Sequence, residues 1–237
     1  MDERFSRTEK LLGSSAMEKL KKARVAIFGI GGVGGYVAEA LARSGVGNLD
    51  LIDSDKVALS NINRQIYALS STVGKLKTEV AKERIYDIAP DCTVRTFPVF
   101  FTPQNASEFD FKEYDYIADA IDTVSAKLAL AKKAQDAGVK IISAMGAGNK
   151  LDPAGFTVAD IYDTSECPLA RVMRTGCKKN GIKSLKVVYS KEKPVRTDET
   201  SEIKDGKGRK SVPMSIAFVP PVAGFIMAGE IIKDIIK

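Results

Sequence analysis

The stretch Gly29-Ile-Gly31-Gly32-Val-Gly34 restricts the fold more than any other part of this sequence. It follows a short β-branched run, Arg24-Val-Ala-Ile-Phe-Gly29, and precedes Val33–Ser44, whose small and apolar residues fall at helical spacing. Glycines at such a junction let the backbone turn sharply and approach a phosphate. The helix that follows offers free N–H groups and the positive end of its dipole. Nineteen residues past Gly34, Asp53 ends a second run, Asn48-Leu-Asp-Leu-Ile-Asp53, where it can accept hydrogen bonds from ribose hydroxyls. Strand, glycine turn, helix, strand and terminal acid, in that order, read as a nucleotide site.

The alternation continues. Thr72–Ile88 is expected to be helical, with Leu76, Val80 and Ile88 on one side and Pro90 stopping it. Thr93–Pro98, Tyr114–Ala120 and Val139–Ala144 read as strands, with Ser125–Ala137 a helix between the last two. Strands alternating with helices of this length predict a Rossmann-like, doubly wound α/β fold with a mostly parallel sheet. No internal repeat is visible. From Gly146 the pattern changes to Gly- and Pro-punctuated, then basic, then a closing helix over Val222–Lys237. That reads as a C-terminal, substrate-facing extension of residues 151–237 on a nucleotide-binding part of residues 1–150, within a single domain of 1–237. The closing helix places Phe225, Ile231, Ile232, Ile235 and Ile236 largely to one side, for core packing or a homodimer contact.

Composition removes several chemistries. Among 237 residues there is no histidine, which excludes Ser-His-Asp triads, Cys-His pairs, His-ligated zinc and imidazole bases. The three cysteines, Cys92, Cys167 and Cys177, form no C-x-x-C. They suit a reducing cytosol better than a disulfide framework, and no zinc is expected. Met1–Lys22 is charged throughout and lacks the apolar core of a secretion signal. The longest apolar run, Ile216–Gly229, is interrupted by Pro220 and Pro221 and falls short of the roughly 18–20 residues of a membrane span. The expectation is a soluble, cytoplasmic protein with no membrane partner.

The net charge of +6 is unevenly placed. Residues 1–170 carry 21 Lys/Arg against 23 Asp/Glu, and residues 171–210 carry 13 against 5, a local +8. Such a segment reads either as a surface for an anionic partner, nucleic acid first, or as a solvated loop. Its cations include Arg171, Arg174, Lys178, Lys179, Lys183, Lys186, Arg209 and Lys210. The stretch Asp198–Lys210 is expected to order on binding RNA.

The glycine turn and Asp53 would equally suit an NAD-dependent oxidoreductase or a redox-sensing module. The residues that follow favour a triphosphate: Asp55, then Ser60-Asn-Ile-Asn-Arg64-Gln65, then Lys77, then Asp122-Thr123 at the end of a strand. A dinucleotide needs little cationic help beyond a helix terminus, whereas displacing pyrophosphate from a triphosphate calls for cations on the outer phosphates. Arg64 offers a planar fork of donors and Lys77 a point charge. Asp122, at the carboxyl end of a strand, could hold Mg²⁺ through one carboxylate.

Gly29–Gly34, Asp53, Ser60–Gln65, Lys77 and Asp122-Thr123 together resemble the ThiF/MoeB/HesA family, relatives of the ubiquitin-activating enzymes, over the first 150 residues. The resemblance implies attack of a carboxylate on the α-phosphate of ATP, with an acyl adenylate formed and pyrophosphate released. Carried over by position, Gly29, Gly31, Gly32 and Gly34 cradle the nucleotide and Asp53 holds the ribose. Asn61, Arg64 and Lys77 contact phosphates, with Asp55, Ser60, Asn63, Gln65 and Thr123 in the same site, and Asp122 binds Mg²⁺. Arg7, in Arg4-Phe-Ser-Arg7, matches an N-terminal arginine that reaches across a homodimer to the partner's ATP.

Members that activate the C-terminal Gly-Gly of a sulfur-carrier protein typically carry two C-x-x-C pairs, which this chain lacks; a free buried or edge thiol is expected at Cys167. The second half instead resembles the branch of tRNA threonylcarbamoyladenosine dehydratases, through Ser143–Pro153, Cys167–Arg171, Val187–Ser190, Phe218–Gly224 and Ala228–Lys233. That resemblance implies a substrate tRNA carrying threonylcarbamoyladenosine, whose threonyl carboxylate is adenylated and closed to a cyclic hydantoin. Recognition of the modified base is expected around Gly146–Asn149 and Cys167. A monovalent cation, Na⁺ or K⁺, is expected near Gly146, and a sulfur-transfer partner is a further possibility. A carrier-protein adenylyltransferase and a non-catalytic scaffold stay open as alternatives. Arg64, Lys77 and Asp122 together argue against the scaffold.

Overall fold

A computed structural model describes residues 2–195 and 213–237. Seven strands form one sheet: β1 (Arg24–Phe28), β2 (Asn48–Ile52), β3 (Thr93–Phe97), β4 (Tyr116–Asp119), β5 (Lys140–Ala144), β6 (Phe156–Asp160) and β7 (Lys186–Ser190). Their order is β3-β2-β1-β4-β5-β7-β6. All neighbours run parallel except β6, an antiparallel edge strand beside β7. The doubly wound fold expected from the sequence is therefore present, with β6 and β7 extending the same sheet. The chain leaves β1 for β2 and β3 on one side and resumes at β4 on the other. The carboxyl ends of β1 and β4 thus flank the point where winding reverses, and α/β ligands bind at such a crevice.

Helices cover both faces: α1 (Ser6–Leu12), α2 (Ser14–Lys22), α3 (Gly34–Arg43), α4 (Lys77–Ile88), α5 (Val124–Ala137), α6 (Pro168–Lys179) and α7 (Pro220–Ile236). The period-2 alternation of β1 divides the core. Val25 and Ile27 pack with Val37 and Leu41 of α3 and Met227 and Ile231 of α7. Ala26 and Phe28 point the other way, into Phe101, Phe109, Phe111 and Leu130 of α5.

Several boundaries differ from the sequence expectation. The helix expected over Thr72–Ile88 begins only at Lys77. Gly74 takes φ +88°, and the Thr72 hydroxyl accepts from the Leu69 N–H and donates to the Tyr67 carbonyl, so this stretch is a closed turn. The consequence is functional, since Lys77 becomes the first residue of α4. The closing helix starts at Pro220, earlier than expected, because its two prolines occupy the first turn, where no N–H is needed. The short helices α1 and α2, the basic helix α6 and strands β6 and β7 were not read from periodicity. Helices α1 and α2 and the two strands are short, and β6 and β7 are broken off by Gly/Pro-rich or charged stretches.

Helix α7 crosses α3 so closely that a Cβ on Gly224 would lie 2.5 Å from the Val33 carbonyl oxygen and 2.9 Å from the Tyr36 Cβ. We expect Gly224→Ala to destabilise the fold by about 1–3 kcal/mol through overpacking. Chemical denaturation checks this: wild-type stability would mean that the two helices do not meet at this separation.

Candidate active site

A cleft of about 680 Å³ opens at the carboxyl ends of β1, β2 and β4. Its floor is the glycine turn. Gly34 opens α3 so close to the end of β1 that an added Cβ would stand 1.8 Å from the Gly29 carbonyl oxygen. Gly31 and Gly32 face the cleft instead. Asp53 stitches β2 to this turn: its Oδ2 accepts from the Ile30 N–H at 2.7 Å and its Oδ1 from the Asp55 N–H at 2.8 Å.

Two cations flank the floor. The Lys77 side chain is buried, with Nζ 2.9 Å from Asp55 Oδ2 and 3.9 Å from Asp53 Oδ2. Arg64 is half-buried, and its Nη1 donates to the Ser60 carbonyl at 3.0 Å and to Asn63 Oδ1 at 2.9 Å. Burial pulls its guanidinium below the ordinary value, which starts so high that it stays a cation. Asn61 and the buried Gln65 complete this wall. Asp122 faces it from the loop after β4, taking a hydrogen bond from the Thr123 hydroxyl at 3.2 Å. This arrangement sets two cations on one side, Lys77 being paired with Asp55, and a carboxylate on the other.

Not every expected site residue lines the cleft. Ser60, Asn63 and Thr123 stand behind it, holding Arg64 or Asp122, and Gly34 lies beneath the turn. Arg7, on α1, is exposed and absent from the lining. Its near neighbour Phe5 packs beside Gly45, past the far end of α3 from the glycine turn. The third wall was missed. Phe28, Ile52, Val99, Phe100, Phe101 and Ile121 form an apolar slot able to take a flat base. Its sequence signal is the apolar run Val99-Phe-Phe101 placed after a strand end.

The outer rim comes from the second half of the chain: Gly146–Lys150, Cys167, Pro168, Leu169, Pro194, Pro213 and Ser215. Cys167 is buried there, a free thiol as expected. Asn149 adopts φ +58° and ties two approaching segments together. Its carbonyl accepts from Val195 N–H at 2.7 Å, and it exchanges two hydrogen bonds with Met214 at 2.8 and 2.7 Å. Its backbone and its side-chain oxygen are thus used to hold the rim together.

Helix α6 starts at this rim and carries exposed Arg171, Lys178 and Lys179, with exposed Lys183 just beyond. Two other expected RNA contacts are engaged elsewhere. Arg174 donates through Nη1 to the Thr164 carbonyl at 2.6 Å. Lys186 Nζ lies 2.6 Å from Asp234 Oδ2 and 3.4 Å from Glu230 Oε2, fastening α7 to the sheet. Arg209, Lys210 and the segment Asp198–Lys210 lie outside the described residues.

The ThiF family matches the chain over residues 5–237. The chain belongs to the ThiF family. Within it, the chain is 44% identical over 240 residues to a Bacillus subtilis protein named tRNA threonylcarbamoyladenosine dehydratase, covering 98% of this chain and 94% of the relative. The crystal structure of the Escherichia coli tRNA N6-threonylcarbamoyladenosine dehydratase in complex with ATP superposes with a TM-score of 0.88 at 34% identity, covering 98% of this chain and 93% of that one. The same protein in complex with AMP superposes with a TM-score of 0.87, at the same identity and coverage. Among the described residues no helix is long and apolar enough to cross a membrane.

The Lys186–Asp234 link sets a pH-dependent contribution to stability. Desolvation would raise the Asp234 carboxyl, but hydrogen bonds from Lys186, Tyr116 and Lys237 outweigh it and hold the carboxyl at about 2. A depressed carboxyl stabilises the fold above its unfolded value, near 3.8, and loses that contribution as pH falls through about 2. Lys186→Met should therefore cost about 1 kcal/mol at pH 7 and clearly less near pH 2, read by denaturant unfolding at both pH values. An equal cost at both would show that the pair does not act through the Asp234 charge.

Proposed function

We propose that this protein is an ATP-dependent dehydratase of threonylcarbamoyladenosine in tRNA, forming the cyclic hydantoin through an acyl adenylate. The observation that carries the reading is the 44% identity to a protein of that name along nearly the full length of both chains. A cleft at the glycine turn, in a fold that superposes on an ATP-complexed neighbour with a TM-score of 0.88, supports it. We also read the chain as one adenylation domain, whose residues 151–237 face the substrate.

In this mechanism an oxygen of the threonyl carboxylate attacks the α-phosphorus, and the bond to pyrophosphate breaks. The carbamoyl nitrogen then attacks the acyl carbon, loses its proton and expels AMP, so the ring closes with net loss of water from the nucleoside. The apolar slot would seat the adenine, and Asp53 the ribose. Arg64 and Lys77 would neutralise charge on the phosphates as pyrophosphate departs. Lys77 now sits on Asp55 and would exchange that carboxylate for a phosphate oxygen. Asp122 fits a Mg²⁺ bound through one carboxylate, because that ion usually takes one or two carboxylates with substrate phosphates and water. When bound, Mg²⁺ would neutralise the phosphates and hold them in line. Ring closure needs no enzyme nucleophile, since nucleophile and acyl carbon share one side chain and proximity supplies much of the acceleration.

A homodimer would account for Arg7, which is exposed and remote from its own cleft and would then serve a partner's nucleotide. Cytoplasmic location follows from this function. The exposed cations Arg171, Lys178, Lys179 and Lys183 lead from the rim and would engage tRNA phosphates. A monovalent cation near Gly146 and a sulfur-transfer partner belong to the same reading.

The test is AMP and pyrophosphate release from ATP, with threonylcarbamoylated tRNA or with a Gly-Gly carrier protein. Turnover with the RNA, with Arg64→Ala and Asp122→Ala each lowering it at least about 10²-fold in a folded protein, is expected. Turnover with the carrier alone would replace this reading with the adenylyltransferase one, and hydride transfer without ATP consumption with the oxidoreductase one.

Replacing Lys178, Lys179 and Lys183 together with Ala should weaken tRNA binding and lower its log–log salt slope by about two. An unchanged slope in filter-binding titrations would return the exposed face of α6 to ordinary solvated surface.

A further inference from the structure

Beneath the loop that carries Asp122 lies an ion pair with no exposure on either side: Lys127 Nζ stands 3.0 Å from Asp119 Oδ2. Asp119 ends β4, Lys127 is on the first turn of α5, and the fully buried Ser143 of β5 donates its hydroxyl to the same Asp119 oxygen at 2.6 Å. The two charged groups also hold the backbone of one residue, Ile121, at its N–H and at its carbonyl, and so the two peptide units that flank it. Asp119 Oδ1 accepts from the Ile121 N–H at 3.2 Å, and Lys127 Nζ donates to the Ile121 carbonyl at 3.1 Å. Ile121 lines the apolar slot and Asp122 follows it directly.

Stability is a poor account of this pair. Removing a carboxylate and an ammonium from water costs several kcal/mol each, and apolar replacements of such pairs are often neutral or stabilising. What an ion pair can supply and apolar packing cannot is direction: one defined orientation for a loop whose backbone groups it binds. The loop also packs on the glycine turn, because an added Cβ at Gly29 would lie 2.7 Å from the Ala120 carbonyl oxygen. Its position therefore bears on both the metal-facing and the phosphate-facing walls of the cleft.

We propose that Lys127, with Asp119, is a positioning residue for Asp122, fixing the Ile121 backbone on both sides so that the Asp122 carboxylate faces the nucleotide phosphates. This rests on the reading of Asp122 as the Mg²⁺-binding carboxylate. It predicts that loss of the pair is felt in the Mg²⁺-linked part of ATP binding and spares nucleotide binding that needs no metal.

Isothermal titration calorimetry without RNA tests this, comparing ATP affinity with and without Mg²⁺ and using AMP as a control for an intact glycine turn. In the native protein Mg²⁺ should strengthen ATP binding, and Asp122→Asn should abolish that gain. Lys127→Met should reduce the gain about tenfold while AMP affinity stays near native, and Asp122→Asn with Lys127→Met should be no worse than Asp122→Asn alone. Lys127→Arg, which keeps the charge, should recover part of the gain. If Lys127→Met does not fold, Asp119→Asn with Lys127→Met, which leaves no unpaired buried charge, is read in the same way. A folded variant with a native Mg²⁺ gain, beside an Asp122→Asn that has lost it, overturns the proposal alone. Equal weakening of AMP and Mg²⁺-ATP also overturns it, since the pair would then be general scaffolding. A native gain in Asp122→Asn overturns the metal assignment itself and the proposal with it.

Discussion

The Gly29 carbonyl oxygen and the first residue of α3 meet at a separation that no side chain on Gly34 could share. That contact lets the chain fold back from β1 into a helix within six residues, so the helix N-terminus and the end of β1 border the same space. The other parts of the site attach to this turn. Asp53 binds its Ile30 N–H, the loop after β4 rests on Gly29, and Pro220 of α7 stands beside Gly32. The cleft thus has a rigid floor on which walls from four separate segments of chain converge. Catalysis by positioning requires such a floor, since misplacement of about 1 Å is enough to lose much of the benefit.

Much of the first half was legible because its signals are local. A glycine turn, an acid ending a strand and helical spacing of small residues each depend on a few neighbouring positions. What stayed hidden depends on partners distant in sequence. Arg64 and Lys77 read as cations for phosphates, but nothing local shows that Lys77 opens a helix and leans on Asp55, 22 positions earlier. That follows from the closed turn at Thr72 and Gly74. The Phe100–Phe101 wall looks like any apolar run until β3 is placed beside β2. Asp119 and Lys127 look like ordinary surface charges on either side of a turn, and only the packing of α5 on the sheet seals them together.

The second half was harder to read for the same reason. Its net charge indicated an anionic partner, but charge counting cannot distinguish a cation aimed at solvent from one already used. Lys186 and Arg174 belong to the second kind: one fastens α7 through Asp234 and the other caps a turn at Thr164. Lys178, Lys179 and Lys183 remain on the outer face. Asn149 lies in a loop expected to face the substrate, and the fold uses its backbone and side-chain oxygen to join Val195 and Met214 at the rim.

Two buried lysines near one nucleotide cleft show how a protein without histidine can divide its electrostatic work. Lys77 is paired with Asp55, whose side chain is 46% exposed, so the partner can return to water when a more highly charged phosphate arrives. Lys127 is paired with Asp119 where neither is exposed, so no ligand can compete and no solvent can take either charge back. The first arrangement suits a charge that must be transferred during binding, and the second one that must never move. Burial depth rather than residue type separates the two roles. Imidazole chemistry is absent by composition, and the proposed reaction relies on leaving-group activation and proximity. Both depend on phosphate oxygens being held at fixed places, by one lysine able to change partners and another that holds its loop still.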